Sequence, residues 1–152
     1  MIFITLGTVL PYDQLIEKID IMKGSGVIGD EMYAQIGSGS YIPKHIKYLR
    51  YVGNMEAVYK KADIVISTCG AGTLLENVTQ GRRIIAIENP AVTTGHAWEL
   101  VFKLEALGCL IWCRDIKDIL PCINEARTKK FRKFEPDSLD ITTLKGLIEG
   151  RR

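Results

Sequence analysis

Residues 62–81, Ala-Asp-Ile-Val-Ile-Ser-Thr-Cys-Gly-Ala-Gly-Thr-Leu-Leu-Glu-Asn-Val-Thr-Gln-Gly, hold the types and spacing best suited to chemistry in this chain. Gly70-Ala71-Gly72 lets backbone N–H groups approach a ligand closely, and Thr73 adds a hydroxyl. Apolar residues resume at helical spacing at Leu74, Leu75 and Val78 and stop at Gly81, so the spacing predicts a helix directly after the glycine turn. Free N–H groups and the positive helix end converge at such a turn, which makes it a cradle for a phosphorylated ligand. Glu76 has two readings. One turn into the helix, it can accept hydrogen bonds from ribose hydroxyls while phosphates sit on the turn. Alternatively, Thr73-Leu74-Leu75-Glu76 is a capping box, and the glutamate only satisfies the helix start.

Two further loops carry chemistry of the same kind. Gly7-Thr8 follows the apolar run Ile2–Leu6 and offers close backbone approach with a hydroxyl for a phosphate oxygen; a plain tight turn is the other reading. Asn89 begins a loop that ends in Gly95-His96-Ala97-Trp98-Glu99-Leu100. His96 and Glu99 are three apart and so share one helix face, where they can meet a sugar or simply support the helix start. Neither the dinucleotide pattern Gly-x-Gly-x-x-Gly nor a P-loop Gly-Lys-Ser/Thr occurs.

The elements that must position these loops alternate along the chain. Strands are expected at Ile2–Leu6, Met32–Ile36, Ile46–Val52, Ile64–Ile66, Arg83–Glu88 and Cys109–Cys113. Helices are expected near Tyr12–Met22, Met55–Lys61, 73–81, Gly95–Leu107, Ile116–Arg127 and Ser138–Glu149. Strand–helix alternation predicts an α/β, Rossmann-like parallel sheet with helices on both faces, built as one domain over residues 1–152. In such sheets ligands bind beyond the carboxyl ends of the strands, where all three loops fall.

With 152 residues, 47% hydrophobic and 25% charged, the composition is that of a soluble globular domain. A net charge of +2 gives no electrostatic case for nucleic acid. The local exception is Arg127-Thr-Lys-Lys-Phe-Arg-Lys133, five cations in seven residues, read as a solvated face or as a membrane-surface or partner contact. The Met1–Leu6 run is too short for a signal peptide, and no stretch approaches a spanning helix, so a cytoplasmic chain, peripheral to a membrane at most, is expected. The cysteines at 69, 109, 113 and 122 form no CxxC pair. Cys109 and Cys113, taken in one strand, lie about 13 Å apart, too far to share a zinc. Reduced, mostly buried thiols and no metal or cofactor are therefore expected.

Together the loops resemble the C-terminal, donor-binding domain of glycosyltransferase family 28, over roughly residues 2 to 113. The family's opening strand, Gly-Thr and aromatic-Asp are matched by Ile4-Thr-Leu-Gly-Thr8 and Tyr12-Asp13. Its Gln-x-Gly element is matched by Gln35-Ile-Gly37, with Tyr41 and Pro43 following. Its Ala-Asp-x-Val-Ile-Ser…Gly-Ala-Gly-Ser/Thr-x-x-Glu signature runs from Ala62 to Glu76, and its Asn…His…Glu-Leu run falls on Asn89, His96 and Glu99-Leu100. Within the family the chain is similar to small catalytic subunits of two-subunit UDP-N-acetylglucosamine transferases and to bacterial capsule and exopolysaccharide relatives.

The resemblance implies the donor half of a GT-B enzyme. The glycine turn Gly70-Ala71-Gly72 and Thr73 would hold a diphosphate, Glu76 the ribose, and the helix of His96 and Glu99 the sugar, with Gly7, Thr8 and Asn89 as further substrate-binding residues. It further implies an inverting transfer to a lipid-linked sugar, with a membrane-anchored partner subunit binding the acceptor. The terminal helix at 138–149 and the basic run at 127–133 are candidate docking elements. Thr68-Cys69 and Ala97 depart from the family's His-Ala and from its glutamine after the histidine, which leaves the sugar open. A UDP-sugar epimerase-like half and a non-catalytic nucleotide-binding module are the alternatives.

Overall fold

The β-branched runs Ile2–Thr5, Ile64–Thr68 and Ile84–Ile87 are buried at every position and form strands on that account, whereas the strand Lys47–Leu49 is exposed. The structure, a computed structural model, describes residues 1–7, 10–68, 70–92 and 97–136. Its strands are β1 (Ile2–Thr5), β2 (Met32–Gln35), β3 (Lys47–Leu49), β4 (Ile64–Thr68), β5 (Ile84–Ile87) and β6 (Ile111–Cys113). The helices are α1 (Asp13–Gly24), α2 (Met55–Lys61), α3 (Ala71–Val78), α4 (Ala97–Ala106) and α5 (Ile119–Thr128), the last preceded by a 3-10 turn at Ile116–Asp118. The strand order β3-β2-β1-β4-β5-β6, with parallel pairing in β1/β2, β2/β3 and β5/β6, is the expected Rossmann-like sheet. Chain contacts gather into two compact units, Met1–Ile66 and Ser67–Arg152. Among the described residues, no helix is long and apolar enough to cross a membrane.

In the first unit, β1 pairs with β2 from Ile2↔Met32 to Thr5↔Gln35. Phe3 of β1 stacks on Tyr33 and meets Tyr59 of α2 edge-on, at centroid distances of 6.0 and 5.9 Å. α1 buries Leu15, Ile16 and Ile19, and with them Asp20. The Asp20 carboxylate accepts from the Tyr41 hydroxyl (2.8 Å) and from the backbone N–H groups of Lys44 (2.9 Å), His45 (2.7 Å) and Ile46 (3.1 Å). One buried acid thus anchors the whole 41–46 loop. The Gln35 side chain donates to Thr5 Oγ1 (3.4 Å) and accepts from Val52 N–H (2.8 Å). Arg50 donates to the carbonyls of Gly37 (3.0 Å) and Gly39 (2.9 Å).

These bonds explain why β3 is shorter than the expected Ile46–Val52. The N–H of Ile46 is committed to Asp20 and that of Val52 to Gln35, so neither joins the ladder.

In the second unit, β5 pairs with β6 from Ile85↔Ile111 to Ile87↔Cys113. α3 and α4 end in the same device. Arg82 N–H bonds Asn77 O (3.1 Å) and Cys109 N–H bonds Leu104 O (2.9 Å), each around a left-handed glycine, Gly81 (φ +68°) and Gly108 (φ +76°). This moves Cys109 out of the expected Cys109–Cys113 strand, which begins only at Ile111. Cys109, Cys113 and Cys122 are buried free thiols. Cys69 and the expected helix at Ser138–Glu149 lie outside the described residues. Trp112, on the edge strand β6, gives its backbone N–H to the Glu105 carboxylate (3.3 Å), whose other oxygen pairs with Arg114 (3.0 Å). That contact caps the open sheet edge.

Candidate functional site

The geometry after β4 starts at Thr68. Its carbonyl accepts from the Ser67 hydroxyl (2.7 Å) and from Gly70 N–H (2.6 Å), which turns the chain sharply at the strand's carboxyl end. Gly70 is the N-cap of α3, and Leu74 N–H makes the first helical bond back to its carbonyl (3.0 Å). The helix therefore begins at Ala71, inside the expected glycine turn. Gly72 and Thr73 stand in its first turn rather than in the preceding loop.

Two consequences follow for chemistry. Gly70 has no side chain to cap the helix, so the N–H groups of Ala71, Gly72 and Thr73 have no acceptor among the described residues. No acidic residue stands in that first turn to offset the positive helix end. The capping-box reading is also overturned: Thr73 is the third helical residue and not the N-cap, so Glu76 cannot reach back to cap the start.

Among the described residues, neither backbone conformation nor packing requires glycine at 70 or 72. Gly70 sits at φ −79°, and Gly72 is not among the glycines with positive φ. Among the described residues, a Cβ on Gly72 would meet nothing within 4 Å, and one on Gly70 only the Thr68 carbonyl at 3.9 Å. Gly72 costs the helix about 1 kcal/mol relative to alanine with no compensating contact among the described residues. Glu76 lies four residues on, one turn along the same face; it is exposed, and its carboxylate has no hydrogen bond or ion pair among the described residues. Asn77 beside it is fully buried and donates to the Thr73 carbonyl (2.8 Å), which holds the turn in place.

After β5, Asn89 is buried and shapes its own loop. Its side-chain oxygen accepts from Ala91 N–H (3.1 Å) and its carbonyl from Val92 N–H (3.0 Å). Glu88, which the sequence reading passed over, is half-buried at the same strand end, and burial raises its carboxyl above the usual range. Its only sequence signal was an acid directly after a buried apolar run. Glu99 is exposed in the first turn of α4, beside a cleft of about 400 Å³ lined with Trp98, Phe102, Lys103 and Trp112. The two indoles pack at 5.1 Å between centroids. His96 lies outside the described residues, as does Thr8.

In the first unit, Gly7 is exposed just past the carboxyl end of β1, and its carbonyl is 3.6 Å from where a Cβ on Gly37 would stand. Tyr12, Asp13, Gln35, Gly37 and Tyr41, the motif residues of this unit, are scaffold. Tyr12 is buried, and Asp13 accepts from Ser40 N–H (3.1 Å).

Comparison with known proteins bears on the family and the fold. The model of the glycosyltransferase family 28 C-terminal domain matches residues 11–146. The chain is similar to the UDP-N-acetylglucosamine transferase subunit ALG13 of Mus musculus, 27% identical over 124 residues, which cover 73% of this chain and 10% of that protein. It thus spans about a tenth of that relative's length. The solution NMR structure of ALG13 superposes with a TM-score of 0.64 at 17% identity, covering 97% of this chain and 94% of the other. MurG of Acinetobacter baumannii superposes at 0.63 with 18% identity, covering 85% of this chain and 41% of MurG. At these identities the two structures speak to the fold, which is that of one half of a GT-B glycosyltransferase.

Proposed function

Because the chain belongs to the glycosyltransferase family 28 C-terminal domain family, we propose that it is the donor-binding, catalytic subunit of a two-component inverting glycosyltransferase. The reaction moves a sugar from a UDP-sugar to a lipid-pyrophosphate-linked acceptor. The observation that carries this reading is the uncapped start of α3, with two glycines that no contact among the described residues requires. The N–H groups of Ala71, Gly72 and Thr73, with the Thr73 hydroxyl, hold the diphosphate, and Glu76 takes the ribose hydroxyls. Asn89, His96 and Glu99 face the sugar. Gly7 and Thr8 are assigned to the phosphates by the family motif rather than by geometry.

In the reaction an acceptor hydroxyl attacks the anomeric carbon from the face opposite the diphosphate. The new C–O bond forms as the bond to UDP breaks, and UDP leaves with that electron pair. The helix end and its N–H groups stabilise the developing negative charge without having to reorganise. The hydroxyl proton passes to a base, for which His96 is this chain's candidate. UDP-N-acetylglucosamine, the donor in the relative's name, is the first to test. The acceptor surface comes from a membrane-anchored partner, so the chain works as a single donor-binding domain at the cytoplasmic face. Transfer to a lipid-pyrophosphate acceptor by the chain alone would contradict that requirement.

Calorimetric titration with UDP tests the site. The wild-type chain binds, and Glu76→Ala binds about tenfold more weakly, the equivalent of one charge-assisted hydrogen bond. Undiminished affinity in a folded Glu76→Ala variant rejects the ribose role.

A further inference from the structure

The basic run noted in the sequence is not a loose tail. Arg132 N–H bonds the Gly108 carbonyl and Phe134 N–H the Val78 carbonyl, both at 2.9 Å, so the segment is laid across the terminal turns of α4 and α3. The Arg132 side chain passes over Gly108, and that of Lys133 over Gly81. Phe134 is buried and Phe131 half-buried, while Lys130, Arg132 and Lys133 are exposed. Lys129 pairs with Glu125 at 3.6 Å, but Lys130, Arg132 and Lys133 have no acidic partner among the described residues. The three rim a cleft of about 740 Å³ with Phe131 and Leu107 in its lining.

Charge over the chain is correspondingly lopsided. Removing the five cations of residues 127–133 from the 20 Lys and Arg leaves 15, against 18 Asp and Glu in the remainder. The rest of the chain is thus a net anion, and the fixed cationic edge alone turns the total to +2.

We propose that this edge, Lys130-Phe131-Arg132-Lys133, is a peripheral docking surface for an anionic phospholipid bilayer. Charge complementarity carries the assignment: clustered, unpaired Lys and Arg with an interleaved aromatic are what an anionic leaflet attracts. Lysine is depleted at protein–protein interfaces, which favours a bilayer over a protein occupant. The placement also suits a membrane-surface enzyme. The edge lies at the C-terminal end of α3, about 12 Å from its N-terminus, so docking leaves the start of α3 uncovered. The inference does not depend on the donor site.

The test is co-sedimentation of the full chain with phosphatidylcholine vesicles and with vesicles that also contain phosphatidylglycerol. Binding is expected only to the anionic vesicles, and it weakens as salt is raised. A Lys130→Gln, Arg132→Gln, Lys133→Gln variant loses roughly a hundredfold in partitioning, about fivefold for each cation. Its circular dichroism and its UDP titration remain those of the wild type, which separates lost docking from misfolding and from failure of the donor site. No binding to anionic vesicles, equal binding to neutral ones, or undiminished binding by the variant overturns the proposal.

Discussion

At the scale of single residues, Asp20 and Glu76 show how differently two carboxylates can be used. Asp20 is 1% exposed, and its carboxylate satisfies four donors from residues 41–46. Burial pushes its pKa up, but the N–H groups of Lys44 and His45, the Tyr41 hydroxyl and the N–H of Ile46 outweigh that and hold it below the ordinary 3.8. The same bond to Asp20 pushes the Tyr41 hydroxyl up to about 12. Asp20→Ala should cost roughly 3 kcal/mol of stability, because buried backbone donors lose a charged acceptor. A depressed carboxylate pKa stabilises the fold above the unfolded value and loses that contribution as pH falls through the folded one. Denaturant midpoints taken between about pH 5 and pH 2 should therefore fall for the wild type and change less for Asp20→Asn. None of this was legible in the sequence, since Asp20's partners are mostly backbone groups more than twenty residues away. Glu76 stands out in the sequence as a candidate, and the helix start at Ala71 shows only that it is not a cap.

At the scale of elements, strands and helices could be read because their apolar periods are long and clear. Their ends depended on bonds the sequence does not display. β3 is trimmed at both ends by Asp20 and Gln35, and β6 begins late because the end of α4 takes the Cys109 N–H. The expected Ile116–Arg127 helix opens as a 3-10 turn, with Asp115 accepting from Lys117 N–H at 2.8 Å. α5 proper then starts at Ile119, which puts Pro121 in its first turn, where a missing N–H costs little. The largest difference is at α3. Glycines suggested a turn through Gly72, but core burial of Leu74 and Val78 extends the helix back over it. This gives a paired prediction for Gly72→Ala. The variant should be about 1 kcal/mol more stable in denaturant titration, because alanine favours the helix and its Cβ meets nothing among the described residues. It should also bind UDP more weakly, because that Cβ occupies the ligand's approach to the backbone. A gain in stability with unchanged affinity would remove the diphosphate from this turn.

At the scale of the whole molecule, a Rossmann-like sheet puts loops of different strands at one kind of edge, and the sequence already pointed to three such loops. The fold class could be read from alternation alone, and the family from the Ala62–Glu76 signature, which the match over residues 11–146 bears out. The lopsided charge could be read only as a count; its fixed placement across the ends of α3 and α4 needed the fold. The central claim is that UDP sits on the start of α3. Backbone amide NMR of the full chain during UDP titration tests it most directly. The account predicts that the largest saturable shifts fall on the amides of Ala71, Gly72 and Thr73, with Glu76 following. Saturable shifts confined to other residues, with those three amides unmoved, would contradict it.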